Sequence, residues 1–331
     1  MSEILVFGGA GYIGSHTCKA LAEAGFQPVV FDNLSEGHRE FVRWGELMEA
    51  DIRDREAVKA AYERCRPVAA IHFAALAYVG QSVRDPEKYY QNNVSGSLHI
   101  IEAARQAGNV PLIFSSSCAT YGLPDTLPIT EDTVQKPISP YGRSKFMVEQ
   151  ILSDYEVAYG FPSVCLRYFN AGGSDLEGEL GEWHREETHV IPRAILAALN
   201  RIDDFMIYGD DHDTPDGSQI RDFVHVADLA NAHVRATSYL LQGGASACFN
   251  IGSGRGVSVF EVIAALSRIT GLMVPSNIGK RRRGDPPVLV ADPAKATAEL
   301  DFQVQHSGLE TILRTAFDWH QRHPLPKSLA G

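Results

Sequence analysis

The segment Gly8-Gly9-Ala10-Gly11-Tyr12-Ile13-Gly14 follows an apolar run, Ile4-Leu5-Val6-Phe7, and opens a stretch with helical spacing. It holds G-x-G-x-x-G as Gly9, Gly11 and Gly14, and G-x-x-G-x-x-G counted from Gly8. Glycines between a strand and a helix allow a tight turn, close approach of the backbone to a pyrophosphate, and close helix–strand packing. The helix N-terminus adds free N–H groups and a partial positive charge. Asp32 ends the second apolar run, 18 residues beyond Gly14. A carboxylate there accepts hydrogen bonds from the hydroxyls of an adenosine ribose. It also repels a 2′-phosphate, so the reading is NAD rather than NADP.

The first half continues in the same alternation. Strands are predicted at Ile4–Gly8, Pro28–Asp32, Leu47–Asp51, Val68–Phe73, Pro111–Ser116 and Ser163–Tyr168. Helices are predicted between them at Gly11–Ala24, Arg53–Arg64, Pro86–Ala107 and Pro140–Tyr159. Strands alternating with helices make βαβ units and a parallel sheet. The strands read as unbroken apolar runs, as expected where helices cover both faces. Beyond Asn170 the pattern loosens. Gly172–Glu187 reads as a Gly-rich acidic loop, followed by a helix at Ile191–Leu199, a strand at Phe205–Tyr208 and a polar loop at Gly209–Gln219. A helix near Ala227–Leu240, a strand at Cys248–Ile251, a helix at Val259–Thr270, a basic loop at Gly279–Pro287 and helices near Pro293–Leu300 and Leu309–His320 complete the chain.

The fold class is therefore α/β: a Rossmann-type, doubly wound parallel sheet with a smaller C-terminal α/β domain. The division is 1–172 and 173–331, with the segment around 224–251 returning to the first domain. A chain of 331 residues suits two domains at roughly 150 residues each. There is no repeat or flexible linker, so a pocket between the two domains is the default site.

Charge narrows the partners. Thirty Lys and Arg against 41 Asp and Glu leave a formal net charge of −11. A negative field repels nucleic acid and anionic membrane, so neither is expected as a partner. The longest apolar stretch, Val68–Val79, is too short to span a bilayer and contains His72. No basic, cleavable leader precedes Ile4, and the five cysteines hold no Cys-x-x-Cys pair, which fits reduced thiols in the cytoplasm. The 12 histidines show no zinc-ligand spacing, so no metal is expected.

A second constellation carries chemistry. In Ser139-Pro140-Tyr141-Gly142-Arg143-Ser144-Lys145, Ser139 suits a helix cap and Pro140 the first helical position. Tyr141 and Lys145 are four apart and share a helix face. A free tyrosine, with a pKa near 10, is a poor base at neutral pH. A neighbouring ammonium and an oxidised nicotinamide both favour the phenolate, which makes Tyr141 a general-base candidate. Ser115-Ser116-Ser117 sits at the C-terminal end of the fifth strand, where ligands bind in open α/β sheets. A hydroxyl there can hydrogen-bond the oxygen that Tyr141 deprotonates.

Fingerprint, strand-end serine and Tyr/Lys pair, in this order, resemble the short-chain dehydrogenase/reductase superfamily in its extended branch. Further motifs, spread over nearly the whole chain, resemble the UDP-glucose 4-epimerase family within it. They are Asp51-Ile52-Arg53-Asp54, His72-Phe73-Ala74-Ala75, Tyr89-Tyr90-Gln91-Asn92-Asn93-Val94, Leu166-Arg167-Tyr168-Phe169-Asn170, Arg221-Asp222-Phe223-Val224-His225-Val226 and Arg283-Gly284-Asp285.

The resemblance implies a tightly held NAD and interconversion of UDP-glucose and UDP-galactose by transient oxidation at C4. It makes Tyr141 the base, Ser117 its hydroxyl partner and Lys145 the residue that holds the nicotinamide ribose. It implies cofactor contacts at Gly8, Gly11, Tyr12, Ile13, Gly14, Asp32, Asn33, Asp51, Ile52, Phe73, Ala74, Ala75, Asn92, Ser115, Tyr141, Lys145 and Phe169. It makes the C-terminal domain the UDP-sugar-binding one, with contacts at Ser117, Tyr141, Asn170, His189, Val190, Tyr208, Arg221, Arg282, Asp285 and Leu289. The basic run Lys280–Arg283 then reads as a diphosphate clamp. Related dehydratases place Asp-Glu after the strand-end hydroxyl, where this chain has Cys118-Ala119. Neither residue can carry that proton work, so redox-neutral epimerisation remains.

Three positions depart from the family pattern. Ala77 replaces a Lys that touches the cofactor phosphate in some members, and His189 replaces an Asn beside the diphosphate. Leu289 lies between the Tyr of hexose-specific members and the small residue of those taking N-acetylated sugars. The alternative is therefore a 4-epimerase for UDP-N-acetylhexosamines or UDP-pentoses. The resemblance also implies a homodimer through the helices at 92–107 and 141–159.

Overall fold

The computed structural model describes residues 2–282 and 285–324. In chain order the first half contains β1 (Glu3–Phe7), α1 (Tyr12–Glu23), β2 (Gln27–Asp32), β3 (Glu46–Glu49), α2 (Arg55–Cys65), β4 (Ala69–His72), α3 (Val79–Arg84) and α4 (Pro86–Tyr89). A π-helical segment, Tyr90–Gly96, leads into α5 (Ser97–Gln106), β5 (Leu112–Ser117), α6 (Pro140–Tyr159), β6 (Ser163–Tyr168) and β7 (Asn170–Gly172). The rest contains α7 (Val190–Ala198), β8 (Met206–Tyr208), β9 (Ile220–His225), α8 (Val226–Leu241), β10 (Ala247–Ile251), β11 (Gly256–Ser258) and α9 (Val259–Thr270). It ends with β12 (Asn277–Gly279), β13 (Val288–Leu289), α10 (Ala294–Leu300) and α11 (Leu309–Arg322).

Seven strands form one parallel sheet in the order β3-β2-β1-β4-β5-β6-β10. Its apolar strands are buried on both sides. In β1, Ile4 and Val6 join the core under α1 and α8, whereas Leu5 and Phe7 join the core under α2, α5 and α6. Alternate side chains point to opposite faces, so a strand covered on both sides must be apolar throughout. The order reverses between β1 and β4. The crevice beyond their carboxyl ends is where such sheets bind ligands.

A second group of elements lies beyond these carboxyl ends in sequence. β11, β9 and β13 form a sheet to which β7 adds through β9, and β12 pairs with β8. Helices α7, α9 and α11 enclose a third core that includes Ile195, Phe223, Leu266 and Leu313. Among the described residues no helix is long and apolar enough to cross a membrane.

Helix α6 spans the predicted Pro140–Tyr159. Ser139 caps it by accepting from Gly142 N at 3.1 Å, and Gly160 ends it at φ +62°. The helix predicted over Pro86–Ala107 differs, because its middle is π-helical. Two contacts account for the widening. The Asn93 amide bonds both the N–H and the carbonyl of Leu76, at 2.9 and 3.0 Å. A Cβ on Gly96 would lie 2.7 Å from Ile52 Cδ1, so the backbone sits against that side chain. Such local π turns commonly occur at functional sites. Helix α3 and strands β7, β9, β11, β12 and β13 were not expected from the sequence pattern.

Candidate active site

The glycine turn is held by contacts that only glycine permits. Gly8 has φ +80°, and a Cβ there would lie 2.6 Å from Ala74 N. A Cβ on Gly14 would lie 2.2 Å from Gly8 O. The turn is closed by Gly11 N donating to Gly8 O at 3.2 Å. Helix α1 then begins without a side-chain cap, which leaves first-turn N–H groups, those of Tyr12, Ile13 and Gly14, for an anion. Phe73 N and Ala74 N both donate to Phe7 O, at 2.8 and 3.0 Å, and so tie the ends of β1 and β4 together. Ala75 follows, half-buried.

Asp32 is fixed beside this turn. Its Oδ2 accepts from Ala10 N at 3.0 Å and its Oδ1 from Leu34 N at 2.8 Å. Burial raises its carboxyl above the usual range, against those two bonds. Asn33 Nδ2 donates to Asp51 Oδ2 at 2.8 Å, and Arg53 binds the same carboxylate through Nε and Nη2. Arg53 holds the Asp51 carboxyl far below its ordinary range. Ile52 is buried against Gly96, and Asn92 is half-buried within the π-helical segment. Gly8 to Gly14, Asp32, Asn33, Asp51 and Ile52 thus converge around the β1–β4 switch point. The glycine cradle, the uncapped helix start and the anchored Asp32 fit an adenine dinucleotide.

Ser115, Ser117, Tyr141 and Lys145 meet at the carboxyl end of β5. Lys145 Nζ donates to Ser115 O at 2.7 Å and lies 6.0 Å from the Tyr141 ring centroid. The Ser115 hydroxyl is bonded to Tyr168 OH. Ser117 Oγ accepts from Ala119 N at 3.1 Å and stands near enough to the Tyr141 hydroxyl to pull its pKa down. Tyr141 packs beside Leu76 and Tyr89. Burial pushes its hydroxyl up to about 12, with Ser117 pulling the other way. This is opposite to the lowering expected from Lys145. The reason is that burial of the phenol outweighs the opposing pull of Ser117; burial also brings Lys145 itself down to about 7, against the opposing charge of Glu149. Burial likewise pushes the Cys118 thiol up to about 12, which makes it an inert filler.

The Lys145 environment makes a pH prediction. Burial brings this amine down to about 7, whereas an unperturbed lysine holds its proton to 10.5. Between those values the unfolded chain binds more protons, so this group makes stability rise with pH. Relative to Lys145→Met, wild-type unfolding free energy is expected to climb from pH 7 to 10.5. The lost bond to Ser115 shifts the offset and leaves the slope unchanged. Denaturant titrations of nucleotide-stripped protein read the slope, and parallel pH curves would contradict the depressed amine.

The predicted substrate residues form two clusters. In the first, Arg221 Nη2 donates to Asp285 Oδ1 at 2.6 Å, and Gln219 Nε2 donates to Asp285 Oδ2 at 2.6 Å. Arg282 lies over the Tyr208 ring, 3.6 Å from its centroid. Leu289 is the register partner of Arg221 and packs with Cys118, Tyr121, Ile129, Phe169 and Ala291. This apolar cluster joins the end of β5 to β13. In the second, Asn170 opens β7, His189 precedes α7 and half-buried Val190 is its first residue. His189 Nδ1 lies 2.7 Å from Glu182 Oε1 and 3.2 Å from Glu187 Oε1. Arg283 of the expected clamp, and Gly284 after it, lie outside the described residues.

Two groups of residues near the site were not singled out from sequence. Asp222 accepts from Ser253 N, Gly254 N and Ala291 N and so ties both the loop after β10 and the segment after β13 to β9. Glu149 and Arg167 form a buried ion pair behind Lys145.

Comparison with known proteins agrees with this geometry. Residues 4–252 match the family described as the NAD dependent epimerase/dehydratase family. A UDP-glucose 4-epimerase of Rhizobium meliloti is 52% identical over 323 residues, 97% of this chain and 98% of that one. The crystal structure of UDP-glucose 4-epimerase from Brucella ovis in complex with NAD superposes with a TM-score of 0.94 at 53% identity, covering 96% of this chain and 98% of that chain. UDP-glucose 4-epimerase from Bifidobacterium longum, in complex with NAD+ and UDP, superposes with a TM-score of 0.93 at 34% identity, covering 98% and 99%.

Proposed function

This chain belongs to the NAD dependent epimerase/dehydratase family and is an epimerase, and from that premise we propose that it interconverts UDP-glucose and UDP-galactose with NAD as its resident cofactor. The observation that carries the reading is the meeting of Tyr141, Ser117 and Lys145 at the end of β5, next to the glycine cradle. Gly8, Gly11 and the first turn of α1 hold the pyrophosphate, and Asp32 takes the adenosine ribose. Bound NAD supplies a reversible hydride acceptor, so the sugar passes transiently through its 4-ketone.

The chain's own residues manage the proton and the grip. Tyr141 removes the C4 hydroxyl proton and returns it after the sugar has turned over. Ser117 bonds the reacting oxygen and fixes its distance from Tyr141. Protonated Lys145 favours the Tyr141 phenolate electrostatically and holds the nicotinamide ribose. Arg221 and Arg282 neutralise the diphosphate, Asp285 orients Arg221, and Tyr208 offers a ring face to the uracil. Leu289 and Phe169 give the sugar an apolar wall without directional bonds. Firm binding of UDP with loose binding of the sugar is what exposure of both C4 faces requires. The same reading makes the homodimer helices α5 and α6, where Leu98 and Met147 are exposed.

Purified protein incubated with UDP-glucose and no added cofactor is expected to yield an equilibrium mixture with UDP-galactose. A parallel incubation with UDP-N-acetylglucosamine reads the tolerance at Leu289. Absence of any epimer from folded, NAD-loaded protein overturns the reading. Arg221→Ala is expected to raise KM for the nucleotide sugar by tenfold or more, since charge-assisted bonds contribute about 1.5–3 kcal/mol. Bound NAD should be unchanged; an unchanged KM would remove Arg221 from the diphosphate site.

A further inference from the structure

We propose that Glu182, His184, Glu187 and His189, on the loop leading into α7, form a binding site for one divalent transition-metal ion, with zinc the best match to the donors. One donor atom from each of the four residues lies within 4.8 Å of all the others. His189 Nδ1 stands 2.7 Å from Glu182 Oε1 and 3.2 Å from Glu187 Oε1. His184 Nδ1 stands 3.3 Å from Glu182 Oε1 and 3.2 Å from Glu187 Oε2. Each Nδ1 therefore lies within 3.3 Å of both carboxylates. Neighbouring donors around a tetrahedral zinc, at about 2.1 Å from the ion, stand roughly 3.4 Å apart. Three of the four separations, 3.2, 3.2 and 3.3 Å, lie close to that value, and the fourth, His189 Nδ1 to Glu182 Oε1 at 2.7 Å, would have to open by about 0.7 Å.

Two further observations separate this cluster from an ordinary buried ion pair. His189 Nδ1 is enclosed yet makes no hydrogen bond despite its short distances. Glu182 is 4% exposed and Glu187 6%. Among the described residues, no backbone N–H or hydroxyl donates to Glu182. Two buried carboxylates need a compensating charge; the His184 and His189 rings, held above the ordinary imidazole range by these carboxylates, supply it in the metal-free chain, and one dication would take their place. Mixed imidazole and carboxylate donors in four-fold arrangement suit zinc better than calcium or magnesium. The other acidic group of this region, Asp175, Glu177 and Glu179, already holds Lys19 Nζ at 2.7–2.9 Å and offers no such centre.

The position suggests a clamp. The His184 ring lies 6.3 Å from that of Tyr12, in the glycine turn, and 6.1 Å from that of Tyr78. His189 begins α7. An ion here pins the 182–189 loop between the dinucleotide cradle and the substrate elements. Binding through Nδ1 also leaves the His189 proton on Nε2, on a ring whose side chain is 44% exposed, ready to donate to an anion.

Chelator-treated holoenzyme, titrated with Zn2+, is expected to take up one tightly held ion per chain and to unfold at higher temperature. The double variant Glu182→Gln/Glu187→Gln should lose both responses. Co2+ substituted into the wild-type chain should give the strong visible absorption of a four-coordinate site without a thiolate charge-transfer band. That spectrum decides the matter even where the variant fails to fold. No stoichiometric uptake by the wild type, a six-coordinate Co2+ spectrum, or uptake retained by the folded variant would overturn the proposal. None of these readouts depends on turnover.

Discussion

Tyr141→Phe is expected to lower kcat by about 10²–10⁴-fold, the range for loss of a positioned general base, while the fold and bound NAD are retained. The phenyl ring keeps its packing with Leu76 and Tyr89. Only the hydroxyl and its contact with Ser117 are removed. Burial raises that hydroxyl to about 12 in the protein alone, so proton abstraction depends on charge brought close when the site fills. Ser117→Ala should fall less, because a hydroxyl that orients is worth less than one that exchanges the proton. It also frees Ala119 N from its cap, so its thermal stability should drop slightly while that of Tyr141→Phe does not. Epimer formation, melting temperature and bound nucleotide, measured on both variants, test the assignment. A Tyr141→Phe enzyme within tenfold of wild type would place the base elsewhere.

What could be read from the sequence was what local contacts dictate. The strands of the large sheet are apolar because both faces are covered, so Ile4–Phe7 and Ser163–Tyr168 were legible as runs. Helix α6 was legible to its ends because Ser139 and Gly160 act through their own backbone neighbourhood. The glycine turn was legible in part for the same reason, since a Cβ on Gly14 would meet Gly8 O and Gly9 Cα, although the close approach at Gly8 is to Ala74, on another strand's end.

Long-range pairing hid the remainder. Strand β9 carries Arg221 and Asp222, which break the apolar run and find partners 64 and 31 residues away in Asp285 and Ser253. The π-helical segment depends on Leu76 and Ile52, which come from other parts of the chain. Glu182, His184, Glu187 and His189 are close in sequence, but their spacing matches no zinc-finger pattern. Their convergence depends on how the loop enters α7. The expectation of no metal rested on spacing alone, and the metal site proposed above departs from it.

The buried pair Glu149–Arg167 should show how stability and chemistry are joined at this site. Arg167 donates through Nε to both Glu149 oxygens at 3.1 Å and through Nη2 at 2.7 Å, and its Nη1 reaches Tyr121 OH at 3.0 Å. Glu149 also accepts from Ser116 Oγ and from Gln135 Nε2. Breaking such a pair from one side leaves a buried charge alone and costs about 3–5 kcal/mol. Glu149→Gln and Arg167→Met are each expected to lose stability on that scale in denaturant titrations. The double variant should lose much less than the sum, because neither charge is then stranded. Their effects on catalysis should differ. Glu149 lies four residues beyond Lys145 on α6, and its charge holds the ammonium up against burial. Glu149→Gln therefore lowers the Lys145 pKa further and moves the pH–kcat profile toward acid. Arg167→Met leaves the carboxylate less neutralised, so its pull on Lys145 is undiminished and the profile does not move that way. Equal acid shifts in the two variants, or none in Glu149→Gln, would show that the pair only braces the sheet and does not tune Lys145.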